Sequence, residues 1–457
     1  MSKSNMQRTG FTSESVGDTI FSLVGGTVLT IDMEDKVIPS GTVVVENGTI
    51  TNVGKANEVE PRGTIYNVDN HIVMPGLINT HTHSVSPLFR NMADDLHLMD
   101  WLKTLIWPAE QYLTAEHAYW GARLAFLEFV ENGITSCADQ YFFAASVAEA
   151  VKDTGITCLL SPSIFSGPSP ESKNTLETAL KVIERYSGHE EQTGVIPAIG
   201  PHAPYSCNSD TWDAVVTAAR EHKLIIHTHI SETLDENRML QEQQGMSPSR
   251  FLESRGVFEN RVLAAHCIHL DKTDMQIFKE SNASVSYNPV SNLKLVSGIM
   301  PLQKLLSHGI TVGIGTDGAQ SNNSLDLLTD LKIGVLIQKQ KQENAAFFTA
   351  RQALRMATIE GARSLHLEEK IGSLEIGKRA DIITIDTEEG LQTPFYKEHP
   401  NQAFSAVVYN SHGSKVSNTI ANGNFLKKNG RVLMDKQEIL ERASSLGRQL
   451  MQSAGLL

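Results

Sequence analysis

Residues 73–83 read VMPGLINTHTH, an apolar run that ends on two histidines separated by a single threonine. Side chains at positions i and i+2 of a β-strand point to the same face of the sheet. His81 and His83 are therefore expected to present two imidazoles to one ion, while Thr82 faces away. Alone the pair is a weak signal, because histidines often lie at strand ends as ordinary polar residues.

Four later segments each supply a further polar candidate for the same centre. The segments GPHAPY (200–205), HTHISE (227–232), AAHC (264–267) and GIGTDG (313–318) contain His202, His229 with Glu232, His266 and Asp317. Catalytic zinc sites keep about three protein ligands and leave one position for water. His81, His83, His229 and Asp317 would supply three imidazole nitrogens and one carboxylate, which is enough for one divalent ion and a water.

The middle of the chain alternates strand-like runs with helical ones, which is the pattern of a βα barrel. Eight runs are predicted to be strands: 76–81, 134–139, 156–160, 195–200, 224–229, 261–266, 283–287 and 311–316. Eight parallel strands predict an α/β fold built on a (β/α)8 TIM barrel. The candidate ligands fall at the C-terminal ends of these runs, on the face where such barrels carry active sites.

Both ends of the chain have a different texture, with short β-branched runs broken by glycines and Asn-Gly pairs. This texture is typical of small antiparallel strands and hairpins, so the two ends are predicted to build one small β-sandwich. The expected division is a disordered N-terminal tail (1–17), the first part of the sandwich (18–72), the barrel with the candidate metal ligands (73–368), and the second part of the sandwich with a C-terminal helix (369–457).

Composition excludes several classes of partner. The chain has 457 residues and a formal net charge of −13, with no basic stripe, which argues against nucleic-acid binding. No run of about 20 apolar residues occurs, so no membrane span is expected. The 4 cysteines are scattered without a CxxC pair, as in reduced cytoplasmic proteins.

Together the segments resemble the amidohydrolase superfamily, and within it the branch of 5'-methylthioadenosine/S-adenosylhomocysteine deaminases and related chlorohydrolases. The resemblance covers nearly the whole chain, and its most specific stretches are 75–83, 200–207, 264–270, NPVSNLKL at 288–295, and 315–325. It implies a hydrolase that acts on C–N bonds in cyclic amidines, an aminohydrolase that releases ammonia from a small heterocyclic molecule.

The resemblance also implies catalytic roles. His266 and Asp317 would accept the proton of the attacking water and orient it, and Glu232 would be the proton shuttle to the substrate. The alternative for Glu232 is an ordinary acid at a helix start. His227, on the same strand face as His229, is expected to support the site or to pack rather than to bind the ion.

The fourth predicted strand indicates how many metal ions the site would hold. A binuclear relative would need a bridging group there, commonly a carboxylated lysine, but VIPAIGPH at 195–202 contains neither lysine nor acid. We therefore expect one divalent ion per chain. Nitrogen and oxygen ligands suit Zn²⁺, which we prefer, and also Fe²⁺.

Substrate-binding residues are carried over by the resemblance. Glu110 matches a glutamate that contacts the ribose hydroxyls, Trp101 an aromatic that packs near the nucleoside, and His202 the residue that bonds to the purine. Core packing is the alternative for Trp101. One departure matters: homocysteine-binding members carry an arginine after the third strand, where this chain has Pro162.

The expected substrate is therefore an adenosine-type nucleoside: 5'-methylthioadenosine, 5'-deoxyadenosine or adenosine, with S-adenosylhomocysteine disfavoured. The alternative is an s-triazine or other N-heterocycle amino- or chlorohydrolase, since those enzymes share the scaffold. A non-catalytic scaffold protein would require lost ligands, and none is lost. We further expect a cytoplasmic homo-oligomer. The leaving group, the metal in vivo and the subunit number stay open.

Overall fold

The computed structural model describes residues 19–92, 94–96, 98–167, 169–172, 175–388, 394–399 and 401–457. The tail that the sequence predicts at 1–17 lies outside these residues. Strands and helices alternate through the middle of the chain, whereas strands dominate both of its ends.

The strands of the described residues are β1 (Ile20–Leu29), β2 (Val37–Glu46), β3 (Thr49–Lys55), β4 (Thr64–Asn67), β5 (His71–Pro75), β6 (Leu77–His83), β7 (Ile134–Tyr141), β8 (Thr157–Ile164), β9 (Val195–Pro197), β10 (Gly200–Pro201), β11 (Ile225–Ile230), β12 (Arg261–His266), β13 (Ser284–Tyr287), β14 (Val312–Ile314), β15 (Asp317–Gly318), β16 (Ile382–Asp386), β17 (Val416–Ala421), β18 (Asn424–Lys428) and β19 (Arg431–Val432).

The helices are α1 (Leu98–Trp101), α2 (Trp107–Glu110), α3 (Ala115–Glu131), α4 (Ala144–Thr154), α5 (Thr175–Tyr186), α6 (Glu190–Thr193), α7 (Ser209–His222), α8 (Leu234–Gln244), α9 (Pro248–Ser254), α10 (Lys272–Ser281), α11 (Pro289–Lys294), α12 (Leu302–Ser307), α13 (Ala319–Asn322), α14 (Leu327–Lys341), α15 (Ala350–Met356), α16 (Ile359–Ser364), α17 (Gln402–Ser405) and α18 (Lys436–Ser453). Short 3-10 turns lie at Ser86–Phe89, Val257–Glu259 and Gly413–Lys415, and π turns at Leu102–Ile106 and Ala406–Asn410.

The central sheet is parallel throughout its described pairings. Its strands run in the order β10-β8-β7-β6-β14-β13-β12-β11, with β9 beside β8 and β15 beside β6. Beyond this order, Ile199 bridges to Ile226 in parallel. The Ile199 amide donates to the carbonyl of Ile225, and the His227 amide donates to the carbonyl of Ile199. The predicted α/β class with a parallel sheet is confirmed.

Two predicted strands are interrupted. The run expected at 195–200 is divided into β9 and β10, and the run expected at 311–316 gives β14, after which β15 begins at Asp317. Pro197 is the last residue of β9 before the first break, and proline has no amide N–H to donate to a neighbouring strand. The other predicted strands agree with the observed bounds to within a few residues.

Both chain ends contribute to a second sheet. It contains 9 strands in the order β19-β18-β17-β16-β5-β1-β2-β3, with β4 beside β1. β5 joins the two ends, because it pairs in parallel with β1 and antiparallel with β16. One residue after β5 ends, β6 begins in the parallel sheet, so the path from one sheet to the other is short.

Helix α3 illustrates how the sequence sets the limits of a helix. The Thr114 hydroxyl accepts a hydrogen bond from the His117 amide at the start of α3. Gly133 follows the helix in a left-handed conformation with φ of +82°, which glycine adopts without a steric penalty. None of the helices in the described residues is long and apolar enough to cross a membrane.

Candidate active site

The candidate ligands meet at one end of the parallel sheet. His81 and His83 are the last histidines of β6, and His229 lies near the end of β11. His266 is the final residue of β12, and Asp317 is the first residue of β15. Because parallel strands all end at the same edge of a sheet, residues far apart in sequence come into contact here.

Three short distances connect the predicted ligand set. Asp317 Oδ1 lies 3.2 Å from His83 Nε2 and 3.5 Å from His81 Nε2. His229 Nε2 lies 3.4 Å from His83 Nε2. The ligand atoms of His81, His83 and Asp317 all lie within 4.8 Å of one another, as do those of His81, His229 and His266. The structure therefore brings together every predicted ligand, with His266 at the same centre.

The donor set fits a divalent metal ion. His81 Nε2 is buried and has no hydrogen-bond partner among the described residues, although it faces this cluster. A buried polar atom without a partner is costly unless something else satisfies it. Imidazole nitrogens and one carboxylate are ligands that zinc and ferrous iron accept.

Two of the predicted ligand histidines are oriented by backbone carbonyls. His83 Nδ1 lies 2.7 Å from the carbonyl oxygen of Gln140, and His229 Nδ1 lies 2.7 Å from that of His202. A carbonyl only accepts, so Nδ1 must donate in both residues. Their Nε2 atoms are left with lone pairs directed to the centre, as ligation requires.

Asp317 is held as a carboxylate. Burial opposes its ionisation, but the neighbouring imidazoles of His81 and His83 outweigh burial and hold its pKa well below the usual range. The hydroxyls of Ser291 and Ser321 also donate to its Oδ2 atom. One oxygen is thus bound by serines, while the other faces the histidines.

Several strand ends turn sharply at this edge. Ser231, His266 and Asp317 have positive φ values of 51°, 71° and 60°. Such conformations are uncommon for residues other than glycine and cluster at functional sites, where the surrounding structure holds them.

Glu232 and His266 face each other beside the ligands. Glu232 Oε2 lies 3.8 Å from His266 Nε2, and the Ser297 hydroxyl donates to Glu232 Oε1 over 3.2 Å. Glu232 is 7% exposed, and burial raises its pKa above that of a free glutamate. The His266 ring is fixed from behind, since its Nδ1 lies 2.7 Å from Asn292 Oδ1.

A cavity opens from this cluster. All three predicted substrate-binding residues, Trp101, Glu110 and His202, line it together with Glu232. The Trp101 indole N–H is buried and has no partner among the described residues. The Phe165 ring stacks on the His202 ring with centroids 4.5 Å apart, so one wall is aromatic.

Glu110 is buried in this wall. Its Oε1 atom accepts a hydrogen bond of 2.7 Å from the Tyr141 hydroxyl. Burial raises the pKa of Glu110 to about 7, although the Tyr141 hydrogen bond and His83 act in the opposite direction. None of the described residues that line the cavity is a lysine or an arginine.

Sequence reasoning missed several residues of the site. Tyr141, Phe165, Ser291 and Asn292 received no role, although each contacts a predicted site residue. Ser291 and Asn292 belong to the NPVSNLKL stretch that carried the resemblance, which was the available signal. Tyr141 and Phe165 had none, because their contacts depend on how neighbouring strands end.

The chain is similar in sequence to amidohydrolases, and among them to nucleoside deaminases. A model of the amidohydrolase family matches residues 72–426. A 5-methylthioadenosine/S-adenosylhomocysteine deaminase from Desulforamulus reducens is 40% identical over 385 residues, covering 84% of this chain and 88% of that protein. A 5'-deoxyadenosine deaminase from Methanosarcina mazei is 39% identical over 427 residues, covering 93% of this chain and 96% of that protein.

Two solved structures with a similar fold contain zinc. An adenosine deaminase from Xanthomonas campestris with bound zinc superposes with a TM-score of 0.89 at 28% identity, covering 95% of this chain and 98% of that one. An atrazine chlorohydrolase from Arthrobacter aurescens complexed with zinc has a TM-score of 0.84 at 25% identity, covering 93% of this chain and 99% of that one.

Proposed function

Because the chain belongs to the amidohydrolase family, we propose that it is a metal-dependent hydrolase that removes the amino group of an adenosine-type nucleoside as ammonia. The observation that carries the proposal is the cavity that joins the histidine and aspartate cluster to both Glu232 and Glu110. One end of this cavity supplies hydrolytic chemistry, and the other supplies a buried acceptor for a polar substrate.

One divalent ion per chain would be held by His81, His83, His229 and Asp317, with zinc preferred over ferrous iron. The zinc-bound relatives and the buried donor set support a metal. A bound divalent ion lowers the pKa of its water from about 16 towards about 7. The single-ion count is based on the fourth strand region, which offers neither lysine nor acid at 195–202.

The residues of this chain would divide the proton transfers. His266 and Asp317 would orient the water and accept its proton as the oxygen adds to the ring carbon that bears the amino group. Glu232 would deliver a proton to the adjacent ring nitrogen and then assist the departure of ammonia. Its raised pKa supports this role, because more of the carboxyl stays protonated near neutral pH.

The substrate proposal combines three contacts. Glu110 would accept hydrogen bonds from the ribose diol, His202 would bond to the purine, and Trp101 would pack near the nucleoside. Their common position in the cavity wall supports this arrangement. The names of the relatives include 5-methylthioadenosine, S-adenosylhomocysteine and 5'-deoxyadenosine, and of these we favour the first and the third.

We also propose that the parallel sheet closes into a barrel. We take the parallel sheet to be a closed (β/α)8 barrel, since the bridge from Ile199 to Ile226 joins the two ends of the strand order. One buried cluster supports closure, because it unites side chains from around the sheet: Ile78, Ala138, Leu159, Ala198, Ile225 and Leu263. The β-sandwich, the domain limits, the cytoplasmic location and the homo-oligomeric state stay predictions.

Replacing Glu110 with alanine should impair turnover of 5'-methylthioadenosine far more than turnover of a ribose-free heterocycle. Only the nucleoside loses charge-assisted hydrogen bonds, each worth about 1.5 to 3 kcal/mol. The measurement is kcat/KM of both substrates for Glu110→Ala and for the milder Glu110→Gln. Equal losses on both substrates would exclude ribose recognition by Glu110.

S-adenosylhomocysteine should be no better a substrate than 5'-methylthioadenosine. By the family resemblance, Pro162 occupies the sequence position of the arginine that binds the amino-acid carboxylate, and the described cavity lining contains neither lysine nor arginine. A competition assay with both nucleosides in one mixture gives the ratio of their kcat/KM values directly. A clear preference for S-adenosylhomocysteine would show that a cation outside this lining binds the carboxylate.

The function is tested by offering the metal-loaded protein adenosine derivatives, guanine, pterins and triazines, and by measuring the release of ammonia and chloride. We expect ammonia from the adenosine derivatives and the highest kcat/KM among them. Preference for a triazine over every nucleoside would move the assignment to an s-triazine or related heterocycle hydrolase.

A further inference from the structure

A second histidine on the strand of His229 faces the same centre. His227 precedes His229 by two positions on β11, so the two side chains point to the same face of the sheet. The exposed fraction of His227 is 0%. A buried imidazole has one N–H donor and one acceptor that both need partners.

His227 lies between two other buried side chains. Its Nε2 atom lies 2.8 Å from His81 Nδ1, and its Nδ1 atom lies 3.1 Å from the hydroxyl oxygen of Ser161. Ser161 belongs to β8 and His81 to β6, so the chain of contacts crosses three strands. Both ring nitrogens of His227 therefore have a hydrogen-bond partner.

We propose that Ser161 and His227 are positioning residues that fix the tautomer of His81, with its hydrogen on Nδ1, and direct its Nε2 atom to the metal ion. The inference rests on the proposed function, because it takes His81 as a ligand. It assigns His227 a supporting role and leaves it outside the ligand set.

Metal binding determines which atom donates and which accepts in each of these hydrogen bonds. A neutral imidazole that binds a metal through Nε2 must carry its hydrogen on Nδ1. His81 Nδ1 then donates to His227 Nε2, which leaves the His227 hydrogen on Nδ1 to be donated to Ser161. In the reversed order the hydrogen of His81 would lie on Nε2, which could not bind an ion. Metal binding therefore selects the direction in which His81 donates to His227 and His227 donates to Ser161.

His81 differs in this respect from the other two ligand histidines. His83 and His229 donate to backbone carbonyls, which no side-chain substitution removes. The support of His81 consists of side chains alone, so it is open to mutation. Loss of such a supporting hydrogen bond typically weakens metal binding by about 10- to 100-fold.

The test compares the zinc affinity of the apo-protein and three variants by competition with a chelator. His227→Leu leaves the His81 N–H without an acceptor, and we expect about 10- to 100-fold weaker zinc binding. His227→Gln keeps one acceptor and one donor at similar positions and should retain most of the affinity. Ser161→Ala should have a smaller effect than His227→Leu, because His81 keeps its direct partner.

Matched controls separate this role from packing. His222→Leu changes an exposed histidine, and Ser364→Ala changes a buried serine elsewhere. Neither should alter zinc affinity. Thermal unfolding of the metal-free variants reports packing, so a lower Tm of apo His227→Leu with unchanged zinc affinity would overturn the inference.

The outcome also distinguishes the two proposals. If the wild-type protein binds no divalent ion tightly, the proposed function fails. If the wild type binds zinc and both His227→Leu and His227→Gln bind zinc with the wild-type affinity, only the positioning role fails. If His227→Leu does not fold, the zinc affinities of Ser161→Ala and His227→Gln decide. A zinc affinity equal to wild type in Ser161→Ala, together with a large loss in His227→Gln, would contradict the proposed chain of hydrogen bonds.

Discussion

Replacing Glu232 with glutamine is expected to lower kcat by about 10²-fold or more while leaving the metal content unchanged, the usual scale for a positioned acid-base group. The substitution keeps the size of the side chain and an oxygen that can accept from Ser297. It removes the proton that Glu232 would transfer, because a carboxamide does not ionise.

The measurement is steady-state turnover of 5'-deoxyadenosine together with metal analysis of the same sample. Glu242→Gln is the matched control, because Glu242 is exposed on α8 and should not affect either quantity. Near-normal turnover in Glu232→Gln would exclude this residue as the proton shuttle.

His81→Ala is expected to abolish both tight metal binding and turnover. His81 is 0% exposed, and its Nε2 atom lies beside Asp317 with no other partner among the described residues. Removal leaves three predicted ligands around a space that water fills. Loss of a ligand therefore affects the metal itself, unlike the loss of Glu232.

Metal content and turnover are measured on His81→Ala and on His222→Ala, an exposed histidine that serves as control. Thermal unfolding checks that the variant is folded. One tightly bound ion per chain with substantial turnover in His81→Ala would remove this residue from the ligand set.

The position of the site could be predicted because strand periodicity and strand order determine it. The pair at His81 and His83 requires only the two-residue repeat of a strand, and β12 was predicted with its observed bounds, Arg261–His266. In a parallel sheet, strand ends share one edge, so His266 and Asp317 could be placed near that pair without knowing any distance.

Contacts between side chains of different strands could not be predicted in the same way. The hydrogen bond from Tyr141 to Glu110 depends on the path of the segment after β6, and the contact of His227 with His81 joins residues 146 positions apart. Local periodicity gives the face of a side chain but not the partner that it meets. The break at Pro197 was missed because the apolar run continued through it.

The most direct test of the central claim is a titration of the metal-free protein with zinc, in which ammonia and the deaminated nucleoside are measured at each step with 5'-deoxyadenosine as substrate. We predict that turnover rises in proportion to bound zinc and levels off at one ion per chain, with one ammonia formed for each nucleoside consumed. Turnover that does not depend on the added metal, that levels off only at two ions per chain, or that gives no ammonia from any adenosine derivative would contradict it.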